Sequence, residues 1–374
     1  MTIIAHYRSF GVPTLIGDFL ISGQTDPGRP VHVPASRAIN DRIHLPLNTY
    51  IVGLNQKVVL YGDKLAVAWS GSRLQAANLF DAWQPLRRMA EIDPDMIGAL
   101  IDGIDEPLRD NLSLIAAVAT ADRVQLITRR VEQPRDYGDI TEVIAGGSGH
   151  AILHEYARQQ AQTVRRFNPG LSDEELRYGY DANLLGSLYG EEFASTIPLL
   201  RGWGGGFETA RLENGRFVKI GRQLWLNYFA TQEDEGSWAL WFVPNFRHLD
   251  YWQEQTIVQA VEHEVDANGV ILPGRRDVFV VPPPGLPDPD LAAFSPPDLS
   301  NQDVIQSCVL FPQLNSSAVY AASYELPVLR YDAPEGQARV HFSFDTMYVT
   351  DLLEELQRHL SAPVRFAGAR NRPG

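Results

Sequence analysis

The chain of 374 residues is 44% hydrophobic and 21% charged, enough for one large core or two and without the bias of a fibrous or disordered chain. Its formal net charge of -14 repels phosphate backbones and anionic headgroups, which argues against nucleic-acid and membrane-surface partners. The single cysteine, Cys308, excludes an intramolecular disulfide and a cysteine-built zinc site. With no spanning-length apolar run and no signal-peptide pattern, the expected compartment is the cytoplasm.

The chain opens with two apolar runs, Thr2 to Tyr7 and Val12 to Asp18, around Arg8-Ser9-Phe10-Gly11. They read as a hairpin that returns Asp18 to the side of Thr2. Ser22 to Leu54 has no clear period and reads as a long excursion from the sheet. Lys57 to Leu60 and Leu65 to Trp69 form a second predicted hairpin around Gly62-Asp63. From Ser72 the spacing turns helical, with Ala76, Leu79, Phe80 and Trp83 on one face up to Pro85, and a second helical segment broken by Pro94 runs to about Asp105. Strands are expected over Leu112 to Ala119, Val124 to Thr128 and Ile140 to Ala145, the last closed by Gly146-Gly147-Ser148-Gly149. Two helices follow, one with Leu153, Tyr156 and Ala157 inward. The other opens at Ser172, with Glu175 at capping-box spacing, and buries Tyr180, Leu184 and Leu188. After the glycine run Gly202 to Gly206, the turn Glu213-Asn214-Gly215 predicts a closing hairpin from Phe207 to Ile220.

Beyond Gly221 the spacing predicts strands at Leu224 to Phe229 and Trp238 to Val243, a helix over Tyr251 to Glu262, and a proline-rich connection from Pro282 to Pro297. Strands at Val304 to Phe311, Ala318 to Leu329 and Arg339 to Phe344 precede a helix from Thr346 to Leu360. The tail from Gly368 to Gly374 is expected to be disordered.

Removal of Met1 would make Thr2 an N-terminal threonine, which carries a hydroxyl nucleophile and an α-amine of ordinary pKa about 7.7–8.0 on one residue. Three spacings resemble those of the proteasome β subunits and their bacterial two-ring relatives among the N-terminal-nucleophile hydrolases. Asp18 follows Thr2 by sixteen residues, Gly71 follows Lys57 by fourteen, and Val143-Ile-Ala-Gly-Gly-Ser-Gly149 precedes a helix. The resemblance covers about residues 2 to 220. It implies an α+β fold, the four-layer αββα sandwich, over residues 1–221, followed by a mixed α/β extension over residues 222–374 that has no assigned role.

The resemblance also implies an N-terminal-threonine amide hydrolase acting on peptides, the alternative being a catalytically inactive proteasome-like assembly or binding module. Thr2 would be the nucleophile, with its amine as base. Lys57, held charged by Asp18, would favour the alkoxide, and the Gly71 N–H would meet the oxyanion. Trp69, Arg73 and His150 are the expected substrate-binding residues, with Trp69 at the floor of the specificity pocket. A homo-oligomer is implied. No cofactor and no metal are expected, since His263-Glu264 lacks a second histidine and the third glycine of a dinucleotide motif would fall on Ile152. Departures from the family pattern are the insertion before Lys57, Phe19-Leu20 after Asp18, His150 in place of a serine, and Leu200-Arg201 in place of an aspartate.

Overall fold

Side chains on a strand alternate between two faces, and that period sorts the N-terminal half into buried layers. In the strand Ile4–Ser9, Ala5 and Tyr7 face one core while Ile4 faces another. The structure is a computed structural model. It describes residues 2–24, 31–34, 44–45, 49–104, 111–167, 170, 172–194, 197–233, 236–285, 294–300, 302–314, 316–322, 327–332 and 340–371.

The fold is mixed α/β and mostly strands. A six-stranded sheet runs in the order Arg135–Tyr137, Ile140–Gly146, Ile4–Ser9, Val12–Asp18, Phe207–Glu213, Arg216–Lys219. On one face, Ala5, Tyr7 and Ile16 pack against Leu153, Leu184 and Leu188 of the helices His150–Phe167 and Asp173–Ala194. On the other, Ile4, Leu15 and Ala210 meet Ala66, Ala68 and Ala117 of a four-stranded sheet, Val58–Tyr61, Leu65–Gly71, Leu112–Ala119, Val124–Arg129. Alanines on this inner face allow the two sheets to approach closely. The outer face of the second sheet, with Leu65, Val67, Trp69 and Leu114, covers Ala76, Phe80, Ile97 and Ile101 of the helices Arg73–Ala82 and Pro94–Asp102.

A seven-stranded sheet dominates the C-terminal part, in the order Ile271–Val281, Gln255–Val265, Trp238–Trp252, Gln223–Gln232, Val304–Phe311, Ser316–Ala322, with Val364–Ala369 added parallel to Trp238–Trp252. It shares apolar contacts with the first half. Trp225 lies in the core of Tyr7 and Leu188, and its ring centroid is 3.7 Å from that of Tyr189. The helix Thr346–Leu360 covers this sheet through Tyr348, Leu352 and Leu356. Among the described residues no helix is long and apolar enough to cross a membrane.

Four expectations change. Tyr251 to Glu262 is not helical but a hairpin that pairs Asn245–Trp252 with Gln255–Glu262. Its two turn residues, Gln253 and Glu254, both hold positive φ without a glycine or asparagine to announce them. Ile271–Val281 is an added strand on that hairpin, and Val364–Ala369 converts the start of the supposed disordered tail into a sheet strand. The excursion from Ser22 to Leu54 carries regular pairing at its two ends, where the strand Leu20–Gly23 runs into it and pairs with Thr49–Leu54, while residues 25–30, 35–43 and 46–48 within it lie outside the described residues. The expected strand from Ala318 to Leu329 is two pieces, Ser316–Ala322 and Leu329–Asp332. Met1, the Glu175 side chain, Arg339, residues 286–293 of the proline-rich connection, 323–326 and 372–374 also lie outside the described residues.

Candidate active site

The opening hairpin sets Ile4 opposite Gly17, and Asp18 donates its backbone N–H to the Ile3 carbonyl at 3.1 Å. That register delivers the Thr2 side chain to Asp18. The Thr2 hydroxyl donates to Asp18 Oδ1, and the other carboxylate oxygen accepts the Gly204 N–H at 2.8 Å. Thr2 and Lys57 are 1% exposed and Asp18 is fully buried, so the cluster is closed from solvent.

A second cradle holds the Thr2 backbone. Its N–H donates to Ser148 Oγ at 3.1 Å, and the Ser148 hydroxyl donates to the Arg201 carbonyl at 3.1 Å. The Thr2 carbonyl accepts from the Gly149 N–H at 3.2 Å. Gly147 has φ +85°, and a Cβ there would lie 2.1 Å from the Thr2 carbonyl oxygen, which explains the glycine in both conformational and steric terms.

Lys57 enters from the second sheet. A Cβ on Gly17, the neighbour of Asp18, would come within 2.5 Å of Lys57 Cβ, so a missing side chain in the first sheet makes room for this lysine. Lys57 Nζ stands 4.0 Å from the centroid of the Trp69 ring, a cation–π arrangement. Burial is the main force on its charge and lowers its pKa, Asp18 and Glu208 oppose that, and Arg73 adds to it. Asp18 responds in the opposite sense. Burial raises its pKa, and Lys57, the Thr2 hydroxyl and the Gly204 N–H each pull it back. The pair thus sits closer to neutrality than either group would in water.

The remaining predicted residues take distinct places. Trp69 is wholly buried in the helix-facing core against Phe80, with its indole N–H donated to the Gln56 carbonyl at 2.8 Å. Trp69→Ala is therefore expected to lose about 3–5 kcal/mol of stability and leave the cleavage profile of a peptide library unchanged. Thermal denaturation and library sequencing would check both, and a stable variant accepting new large apolar residues would restore Trp69 to a pocket. Gly71 has φ +114°, and a Cβ would lie 1.9 Å from the Asn111 carbonyl oxygen. Arg73 is exposed in the first turn of the helix that Ser72 caps. His150 Nδ1 is 2.7 Å from the Gly147 carbonyl and its Nε2 is 3.1 Å from Glu132, which ties it to the Thr2 cradle.

Five residues of the site escape the sequence reading: Ser148 as a partner of Thr2, Gly204, Glu192, Arg247 and Glu208. Ser148 was visible as the middle of Gly-Ser-Gly, but its contact to Thr2 needs the three-dimensional loop. Glu192 bonds the Gly205 N–H beside the one that holds Asp18, and pairs with Arg247 at 3.1 Å with both side chains buried. No short-range pattern joins residues so far apart. Among the described residues no cluster of three or more His, Cys, Asp or Glu side chains is arranged for a metal ion.

No family model and no curated protein matches this chain. Among solved structures there is a distant likeness to eukaryotic HslV from Trypanosoma brucei, with 16% identity and a TM-score of 0.31, covering 57% of this chain and 99% of that one.

Proposed function

We propose that this protein is an N-terminal-threonine amide hydrolase acting on peptides, built on a four-layer αββα sandwich over residues 1–221 with residues 222–374 as its extension. One observation carries the reading: the Thr2 hydroxyl donates directly to a buried carboxylate, Asp18, on which the Lys57 charge acts. In this reading the Oγ proton moves to Asp18 as Oγ attacks the carbonyl, a base one hydrogen bond away and raised by burial toward neutral pH. Lys57 offsets the charge of the alkoxide and of the tetrahedral oxyanion. Cleavage of the bond before Thr2 turns the N–H that Ser148 accepts into an amine, through which the proton held by Asp18 passes to the leaving nitrogen as the C–N bond breaks and an acyl ester forms on Oγ. Water then gives a proton to Asp18 as it hydrolyses that ester, and Oγ recovers the proton from Asp18. The exposed backbone at Gly71 is the proposed oxyanion donor. Arg73 and His150 are the proposed contacts on the substrate side, and a homo-oligomer without metal or cofactor is the proposed assembly.

The burial of Thr2 favours one other reading, a silent member of the same fold that serves as a binding module. Turnover of a peptide panel by protein whose intact mass places Thr2 at the N-terminus, lost in Thr2→Ala, supports the hydrolase. Absence of turnover in such protein supports the module.

A further inference from the structure

The strand Val58–Tyr61 is an edge of its sheet, so the outward N–H groups at its start require partners from elsewhere. Glu208, fully buried on the strand Phe207–Glu213 and paired in register with Gly17, provides them. Its Oε1 accepts the Lys57 N–H at 2.6 Å and the Val58 N–H at 2.8 Å. Oε2 pairs with the Lys219 ammonium and accepts from the Thr256 hydroxyl at 3.4 Å. Lys219 closes the ring by donating to the Val58 carbonyl and to Gln56 Oε1.

The C-terminal sheet grips the same tripeptide. The Gln56 side-chain amide donates to the Glu254 and Val281 carbonyls at 2.6 and 3.0 Å, and the Gln56 N–H donates to the Pro282 carbonyl at 2.9 Å. Gln56-Lys57-Val58 is thus held by a carboxylate on one side and by residues 254–282 on the other.

We propose that Glu208 is a positioning residue for Lys57, fixing its backbone and supplying a second negative charge beside Asp18, with Thr256 and the strands around it as the outer frame. The extension is then part of the reaction centre and not an appended module. This rests on the role given to Lys57 in the proposed hydrolysis. A purely structural Glu208–Lys219 pair would also explain the burial of both side chains, but it would leave the proton affinity of Lys57 untouched. The charges facing Lys57 are Asp18, Glu208 and Arg73, and Lys219 stands behind Glu208.

The test is the titration of Lys57, followed by NMR of the lysine side-chain εCH2 groups in the full chain and assigned by its loss in Lys57→Arg. Glu208→Gln removes the charge while keeping the shape, and is expected to lower the proton affinity of Lys57 by about threefold or more. Glu208→Asp keeps the charge and should restore most of that shift. If Glu208→Gln does not fold, the double variant Glu208→Gln with Lys219→Met exchanges the ion pair for neutral side chains of similar size, and a smaller shift in the same downward direction is expected, because the farther positive charge leaves with the nearer negative one. An unchanged Lys57 midpoint in a folded variant lacking the Glu208 charge would overturn the assignment. Turnover does not enter this readout, so a protein that hydrolyses nothing refutes the hydrolase without touching the Glu208 result.

Discussion

Asp18→Asn is expected to lower kcat by about 10²–10⁴-fold and to leave the protein folded. Asparagine keeps one acceptor oxygen where aspartate has two: with that oxygen on the Gly204 N–H, its NH2 faces the Thr2 hydroxyl as a donor, and it cannot take the Oγ proton. In the wild type, turnover should rise as Asp18 ionises around its raised pKa of about 7 and fall as Lys57 loses its proton around its lowered pKa of about 8. The two limbs belong to the coupled pair and not to either group alone. Asp18→Asn should abolish the acid limb.

Stability should move with pH in the opposite sense to the acid limb. A carboxyl whose folded pKa is raised binds its proton more tightly in the folded protein than in the unfolded chain. Its contribution is therefore complete below the ordinary value of 3.8 and is lost as pH climbs through about 7. Wild type should lose stability relative to Asp18→Asn across that window, measured by denaturant titration at several pH values. A difference that stayed constant with pH, or a kcat within tenfold of wild type, would remove Asp18 from the role of base.

Gly147→Ala should damage fold and site together. The αL backbone alone costs about 1–3 kcal/mol for a residue with a Cβ. The added carbon would also fall 2.1 Å from the Thr2 carbonyl oxygen, so either the loop or Thr2 must shift. A displacement of about 1 Å at a nucleophile is enough for about a 10²-fold loss of rate. Combined melting and kinetic measurements should show both losses, whereas Gly138→Ala, at φ +70° but with no atom within 4 Å of the added carbon, should show only the backbone cost. A Gly147→Ala protein with wild-type turnover would place the nucleophile elsewhere.

The residues that the sequence placed well are those whose message is local. Strand alternation and the hairpin around Gly11 were enough to bring Asp18 beside Thr2. Trp69 shows where local reading becomes fragile. Its neighbours Leu65 and Val67 share its face, so the alternation itself turns the indole toward Phe80 and the helices. The C-terminal sheet was partly illegible because the turn at Gln253-Glu254 lacks the residues that signal a tight hairpin, and because Ile271–Val281 mixes apolar residues with Arg275, Arg276 and Asp277. Glu208 and Arg247 were illegible for a different reason. A buried charge is defined by partners from distant segments, here Lys57 and Lys219 for Glu208 and Glu192 for Arg247.

The central claim, that Thr2 Oγ is a nucleophile activated by Asp18, is tested most directly by its reaction with a β-lactone. Full-length protein whose intact mass places Thr2 at the N-terminus would be incubated with the lactone, digested and mapped by mass spectrometry. The account predicts one acyl group on the N-terminal peptide, located on Thr2, formed far more slowly in Asp18→Asn and absent in Thr2→Ala. Equal labelling of wild type and Asp18→Asn, or no adduct on a protein bearing N-terminal Thr2, would contradict it.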